Sequence, residues 1–238
     1  VGSEHHKVYQ AEGFRWICSP ADAIQSAMEL AHPARPVLAN QRAMTLAAAL
    51  PETVNSVLDL GTGGGALLRF ARALPGRTVV TSVDSDPQMQ ALARQHFAIP
   101  REQVLHIADA FAYLDATPGV FDLIFCDLFQ GRDTPRQFLS EAFFSALLSH
   151  LQTDGAVVCN LLPQSQQDLE TAVSISRHYF GEVGLIQFAD LGNIVLLMTR
   201  SSLPDKDVWQ EHMEILVADD EAYEYRRFLR GLLRVPAL

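Results

Sequence analysis

Four carboxylates stand where chemistry could be done. Each closes or follows a short apolar run: Asp59 in Val57-Leu58-Asp59-Leu60, Asp84 after Val79-Val80-Thr81-Ser82-Val83, Asp109 in Ala108-Asp109-Ala110, and Asp127 after Phe121-Asp122-Leu123-Ile124-Phe125-Cys126. Between the first two lies a glycine cluster, Gly61-Thr62-Gly63-Gly64-Gly65, and an apolar run with helical spacing, Ala66-Leu67-Leu68-Arg69-Phe70, follows at once. Strand, glycine turn and helix in that order make a turn that a nucleotide cofactor can approach. Its glycines permit positive φ, remove the Cβ that would keep backbone N–H groups from a ligand, and let helix and strand pack closely. Glycine clusters also end strands for purely structural reasons, so the pattern gains weight from Asp84. It closes the second strand at about the spacing where an acid reaches ribose hydroxyls in dinucleotide-type folds.

The other two acids carry two readings each. Asp109 opens a helix, where a carboxylate is an ordinary N-cap, yet it also sits at the carboxyl end of a strand, where open α/β sheets bind ligands. Asp127 ends the fourth strand beside the same crevice. A carboxylate there could orient or deprotonate an amine acceptor, or only hydrogen-bond the backbone of its own loop. The following Leu128-Phe129-Gln130-Gly131 is too apolar for an ordinary solvent loop and reads as pocket wall or lid.

These residues are positioned by a regular alternation of strand and helix from Ser56 onward. Strands are predicted at 56–60, 78–84, 103–107, 121–127, 155–162, 183–189 and 193–199, with helical spacing clearest over Gln88 to Phe97 and Glu141 to Leu151. Such alternation predicts a mostly parallel seven-stranded α/β sheet, Rossmann-like, with helices on both faces. The short turn Asp190-Leu191-Gly192 makes the last two strands an antiparallel hairpin. Ahead of the sheet, residues Lys7 to Cys18 read as a small N-terminal β-hairpin, Ser19 to Pro36 as loop, and Asn40 to Leu50 as a helix capped by Asn40. Residues 1–50 are thus expected to form a lip over the site and residues 51–238 the ligand-binding domain, with helices again over Trp209 to Leu216 and Glu221 to Leu233.

Composition narrows the function. The chain has 238 residues, 48% hydrophobic and 19% charged, with a formal net charge of -10. That is a globular protein with a sizeable core, and its charge argues against nucleic acid as partner, since phosphate binding needs clustered Lys and Arg. A small or cationic acceptor suits it better. Cys18, Cys126 and Cys159 stand apart, and the histidines are scattered, so neither a disulfide framework nor a metal site is indicated. No apolar run is long enough for a membrane span, no signal-peptide pattern opens the chain, and the expected compartment is the cytoplasm. Whether two copies assemble as a homodimer is left open.

A dinucleotide fingerprint would want its third glycine at Ala66, and no Gly-Lys-Ser or Gly-Lys-Thr marks a Walker loop. Val-Leu-Asp-Leu-Gly-Thr-Gly-Gly-Gly instead resembles the first motif of class I S-adenosylmethionine-dependent methyltransferases. With Ile24-Gln25, Asp84-Ser85-Asp86-Pro87, Asp109-Ala110-Phe111 and Asp127 before a lid, the chain resembles the spermidine synthase family of aminopropyltransferases from about Val8 to Arg200. The resemblance implies S-adenosylmethionine or its decarboxylated form as co-substrate. Gly61, Gly63 and Gly65 would cradle it, Gln25 and Asp84 hold its ribose with Ser85 alongside, Asp109 and Ala110 its adenine, and Asp59 a methionine part; Asp127 would be the base. Spermidine synthases keep an Asp where this chain has Gly64, further acids around Leu30-Ala31, a tyrosine near Leu38-Ala39-Asn40, and a second lid Asp at Gln130. These departures speak against putrescine, because buried ammonium groups need carboxylates. The resemblance thus implies methyl or aminopropyl transfer to a small amine, with a non-catalytic nucleoside- or protein-binding fold-mate as the alternative.

Overall fold

The structure, a computed structural model, describes residues 6–19, 23–129, 134–217 and 221–236. Strands β1 (Lys7–Ala11) and β2 (Phe14–Cys18) form the expected hairpin, and β3 (Ile24–Glu29) adds a third antiparallel strand against β2. The segment 19–36 read as loop because prolines flank it and Ile24-Gln25-Ser26-Ala27-Met28-Glu29 lacks strict alternation; pairing with β2 decides its state. Helix α1 (Ala39–Met44) follows, with Leu38 at its N-cap and no side-chain cap bond, and runs into a 3-10 turn over Thr45–Ala49. Asn40 therefore lies inside the helix and does not cap it. The Thr45 hydroxyl donates back to the Arg42 carbonyl at 2.7 Å, a local bond of the kind that competes with regular helix.

From there the chain runs β4 (Ser56–Leu60), α2 (Ala66–Ala73), β5 (Val79–Asp84), α3 (Pro87–His96), β6 (Leu105–Ile107), α4 (Ala110–Ala116), β7 (Phe121–Cys126), α5 (Glu141–Ser149), β8 (Leu151–Leu161), α6 (Gln166–Tyr179), β9 (Glu182–Phe188) and β10 (Asn193–Thr199). Helices α7 (Lys206–Leu216) and α8 (Ala222–Gly231) and the short β11 (Leu233–Arg234) close the described chain. The large sheet has the order β11-β9-β10-β8-β7-β4-β5-β6. Strands β6, β5, β4, β7 and β8 run parallel, while β10 is antiparallel to both β8 and β9. This is the predicted parallel sheet ending in an antiparallel hairpin, with β11 as an eighth edge strand.

Alternation along the strands divides the core between the two faces. On β4, Val57 joins one cluster with α2, the 3-10 turn, Trp209 and Tyr225, while Leu58 and Leu60 join the other with Phe138, Phe143 and Phe144. The first face matters for the site, because it holds the front segment in place. Trp209 Nε1 donates to the Leu46 carbonyl at 2.9 Å, Thr45 and Tyr225 share a buried hydroxyl pair at 3.0 Å, and Arg42 pairs with Glu224. No helix among the described residues is long and apolar enough to cross a membrane.

Candidate active site

The glycine turn lies at the carboxyl ends of β4 and β5, tied to β5 by the Gly61 and Thr62 N–H groups on the Val83 carbonyl at 2.8 and 3.2 Å. Gly61, Gly63 and Gly65 have φ of +83°, +51° and +77°, the left-handed region that favours glycine. Two glycines also admit neighbouring chain. A Cβ on Gly61 would come 2.8 Å from the Asp127 carbonyl carbon, and one on Gly64 would come 2.6 Å from Ser26 Cβ. The position at which spermidine synthases keep an Asp is therefore closed here by Ser26 of β3.

Asp84 works on this turn from below. One carboxylate oxygen accepts the Gly63 N–H at 2.7 Å and the other accepts the Asp86 N–H at 2.9 Å. Burial pushes its carboxyl up, and those two bonds pull it back. The side chain singled out for a ribose thus also shapes the loop that would receive the nucleoside. Asp86 in turn caps α3, accepting from Gln88 and Met89 at 2.8 and 3.2 Å.

Asp59 sits on β4 beneath the turn, 1% exposed, and neither carboxylate oxygen has a hydrogen-bond partner. Its carboxyl is pushed up to about 7, first by burial; the Thr62 hydroxyl lowers it, the charges of Asp127 and Asp84 raise it further, and Arg69 lowers it. The Thr62 hydroxyl itself is committed to the carbonyls of Asp59 and Val83, at 3.4 Å each. Ser82, the register partner of Asp59 on β5, is also buried with an unpartnered hydroxyl. Arg69 of α2 ties the surroundings together, donating to the carbonyls of Pro33 and Gly64 at 2.6 Å each and of Phe97 at 3.0 Å. A buried acid with free oxygens beneath a glycine turn fits a cationic group of a bound ligand, which would supply the missing donors.

Asp127 follows β7, its N–H on the Leu60 carbonyl at 2.9 Å. One carboxylate oxygen accepts Gln41 Nε2 at 2.9 Å and the other accepts Asn160 Nδ2 at 2.8 Å; Asn160 Oδ1 accepts Asn193 Nδ2 at 3.0 Å. Burial pushes the Asp127 carboxyl up, and the two amide donors pull it down. It does not merely bond its own loop, since its side-chain partners come from α1 and β8.

The remaining predicted residues lie farther from this cluster's bonds. Asp109 is exposed and caps α4, accepting the Ala112 N–H at 3.0 Å, and Ala110 behind it is buried. Ser85 is exposed. Gln25 lies where β3 bulges, Ile17 pairing with Ser26 and Cys18 with Ile24, and bulges re-aim side chains. Of the lid, Leu128 packs against the core while Gln130 and Gly131 lie outside the described residues. Among the described residues no group of three His, Cys, Asp or Glu could hold a metal ion. Sequence reading missed Gln41, Asn160, Asn193, Ser26, Ser82 and Arg69. For Asn160, Ser82 and Arg69 a signal existed, a polar residue inside an apolar run; for the others none did.

The Methyltransferase domain family matches residues 57–155. The polyamine aminopropyltransferase of Neisseria meningitidis serogroup A is 29% identical over 199 residues, spanning 79% of this chain and 73% of that protein. Among solved structures, a probable spermidine synthase from Corynebacterium glutamicum superposes with a TM-score of 0.78 at 21% identity, covering 87% of this chain and 82% of that one. Human methyltransferase-like protein 13 in complex with SAH gives a TM-score of 0.66 at 20% identity, covering 82% and 93%. With this sheet order and a glycine turn at its carboxyl edge, the chain is a transferase with a spermidine synthase-like class I methyltransferase fold.

Proposed function

We propose that the protein transfers a methyl or aminopropyl group from S-adenosylmethionine or its decarboxylated form to a small amine, with Asp127 receiving the amine's proton. The observation that carries this is the placement of Asp127: its carbonyl lies under Gly61 and its carboxylate is held by side chains of two other elements. When bound, the nucleoside co-substrate supplies a carbon made electrophilic by its sulfonium. The chain's part is to hold donor and acceptor in line and to exclude water. As the amine nitrogen attacks, the new N–C bond replaces the C–S bond, and the proton released from nitrogen passes to the Asp127 carboxylate.

In this reading Gln25, Asp84 and Ser85 serve the ribose, Asp109 and Ala110 the adenine, and the backbone from Gly61 to Gly65 lies along the nucleoside. Asp59 would face the ammonium that both donors carry; what favours intact S-adenosylmethionine and methyl transfer is position 64, where Gly stands in place of the amine-binding acid of spermidine synthases and Ser26 fills the space. The name of the Neisseria relative supports the aminopropyl arm. Residues 1–50 serve as the lip and 51–238 as the transferase domain, and with three free cysteines the cytoplasm is the compartment we assign.

Calorimetric titration with S-adenosylmethionine, its decarboxylated form and methylthioadenosine separates the two arms, followed by product analysis against a panel of small amines. Asp127→Asn should retain nucleoside affinity and lower turnover by on the order of 10²-fold or more. A variant that turns over within a few-fold of the parent removes Asp127 as the base.

A further inference from the structure

We propose that Asn160, backed by Asn193, and Gln41 are positioning residues that present Asp127 to the crevice as an acceptor-only carboxylate, so that the nucleophile it receives must carry its own N–H. This rests on the reading of Asp127 just given. The three amides come from β8, its antiparallel neighbour β10, and α1; Gln41 and Asn160 reach the carboxylate itself, and Asn193 reaches Asn160. Asn160 is 0% exposed within the apolar run Val157-Val158-Cys159-Asn160-Leu161. A fully buried amide is costly there unless bonded. Its bonds are one given to Asp127 and one received from Asn193.

The direction of the relay follows from the chemistry at its end. An ionised carboxylate only accepts, so each amide facing it must present nitrogen. Asn160 then turns its oxygen outward, and Asn193 supplies the matching N–H. Gln41 is 6% exposed, and its oxygen is buried without a partner, so Asp127 is what fixes its orientation. Donors on both oxygens favour the ionised carboxylate, against the burial that on balance pushes its carboxyl up. The titratable groups facing it offer no alternative support. Asp59 on β4 is itself acidic, burial pushes the Cys126 thiol well up, Cys159 is buried, and no ion pair of Asp127 occurs among the described residues. Asp127 is half-buried, and the two amides are the side-chain donors that oppose the cost of withdrawing its charge from water.

With donors behind both oxygens, the lone pairs left over can only accept. Primary and secondary amines meet that requirement, and tertiary amines and thioethers do not.

The test is direct titration of Asp127 by carbon-detected NMR on protein with 13C-labelled aspartate side chains, its resonance assigned by its loss in Asp127→Asn. Asn160→Leu should raise the Asp127 midpoint by about one pH unit or more, and Asn193→Leu by less, because it removes only the outer bond. Asn193 is half-buried at a strand end, so that variant keeps the proposal falsifiable where Asn160→Leu does not fold. A midpoint unchanged in the folded variants overturns the relay, whatever a transfer assay reads. A raised midpoint supports it even where Asp127→Asn retains full turnover, an outcome that counts against Asp127 as the base alone.

Discussion

Replacing Asp59 with Asn should stabilise the ligand-free protein, and by an amount that depends on pH. The Asp59 carboxyl is pushed from its ordinary 3.8 to about 7, because burial disfavours the anion and Asp127 and Asp84 add to it. At 1.36 kcal/mol per pH unit, a shift of that size is on the order of 4 kcal/mol between the two protonation states. The folded chain keeps a proton that the unfolded chain releases above 3.8. Asp59 therefore contributes stability that is fully present below the unfolded value and is lost as pH rises through about 7. An Asn amide has the shape of the protonated acid and cannot ionise. Urea unfolding of both proteins should thus give similar stabilities near the low end of the window, and should put the Asp59→Asn variant ahead by roughly 2 to 4 kcal/mol at about pH 8. S-Adenosylmethionine, if its ammonium meets Asp59, should narrow the gap at high pH by stabilising the parent's carboxylate. A stability difference that stays constant from acid to alkaline pH refutes the buried-charge reading of Asp59.

Gly64→Ala should cost about 1 to 3 kcal/mol by overpacking against Ser26, and Ser26→Gly in the same chain should recover most of it, so urea unfolding of the double variant checks the contact; simple additivity would refute it. Asp84→Ala should weaken nucleoside binding by roughly 1.5 to 3 kcal/mol in calorimetry. It should also speed hydrogen exchange at the Gly63 and Asp86 amides, which lose their acceptor. Unchanged affinity with faster exchange would leave Asp84 as a shaper of the turn only.

The sheet was legible because its signals are local. Strand runs such as Val57-Leu58 and Phe125-Cys126 are short and bounded, the hairpin turn is only Ala189 to Gly192, and the glycine cluster marks its own φ values. The departures came where pairing or packing overrides local pattern. β3 exists because β2 offers it an edge, and the helix read over Asn40 to Leu50 tightens after Met44, where Thr45 turns its hydroxyl back onto Arg42. In the candidate site, Asp59, Asp84 and Asp127 stand out from their places at or near strand ends, whereas the side chains that hold Asp127 do not. Gln41 and Asp127 are 86 residues apart, and Asn160 and Asn193 each 33 from the group they meet. Nothing in the sequence near Gln41 announces a carboxylate. Asn160 and Ser82 were visible only as polar residues in apolar strands, a sign that a partner exists without a sign of which.

The glycines of the turn carry two jobs, and the second was not in the sequence pattern. Gly61 lacks a Cβ because the Asp127 carbonyl passes there, and Asp127 answers with its own N–H on the Leu60 carbonyl. Gly64 lacks one because the Ser26 side chain fills that space. Ile99 closes the turn at Gly65 as well, and the turn is open at Gly63, whose N–H Asp84 holds. It follows that the loop that would receive the nucleoside and the carboxylate that would receive the proton are not independently placed. One backbone contact, between the ends of β4 and β7, joins the two. A substituent at Gly61 would have to push the end of β7 outward, carrying Asp127 away from Gln41 and Asn160 as it loosened the turn, so cofactor binding and acceptor chemistry should fail together at that residue and separately at Asp84 and Asn160.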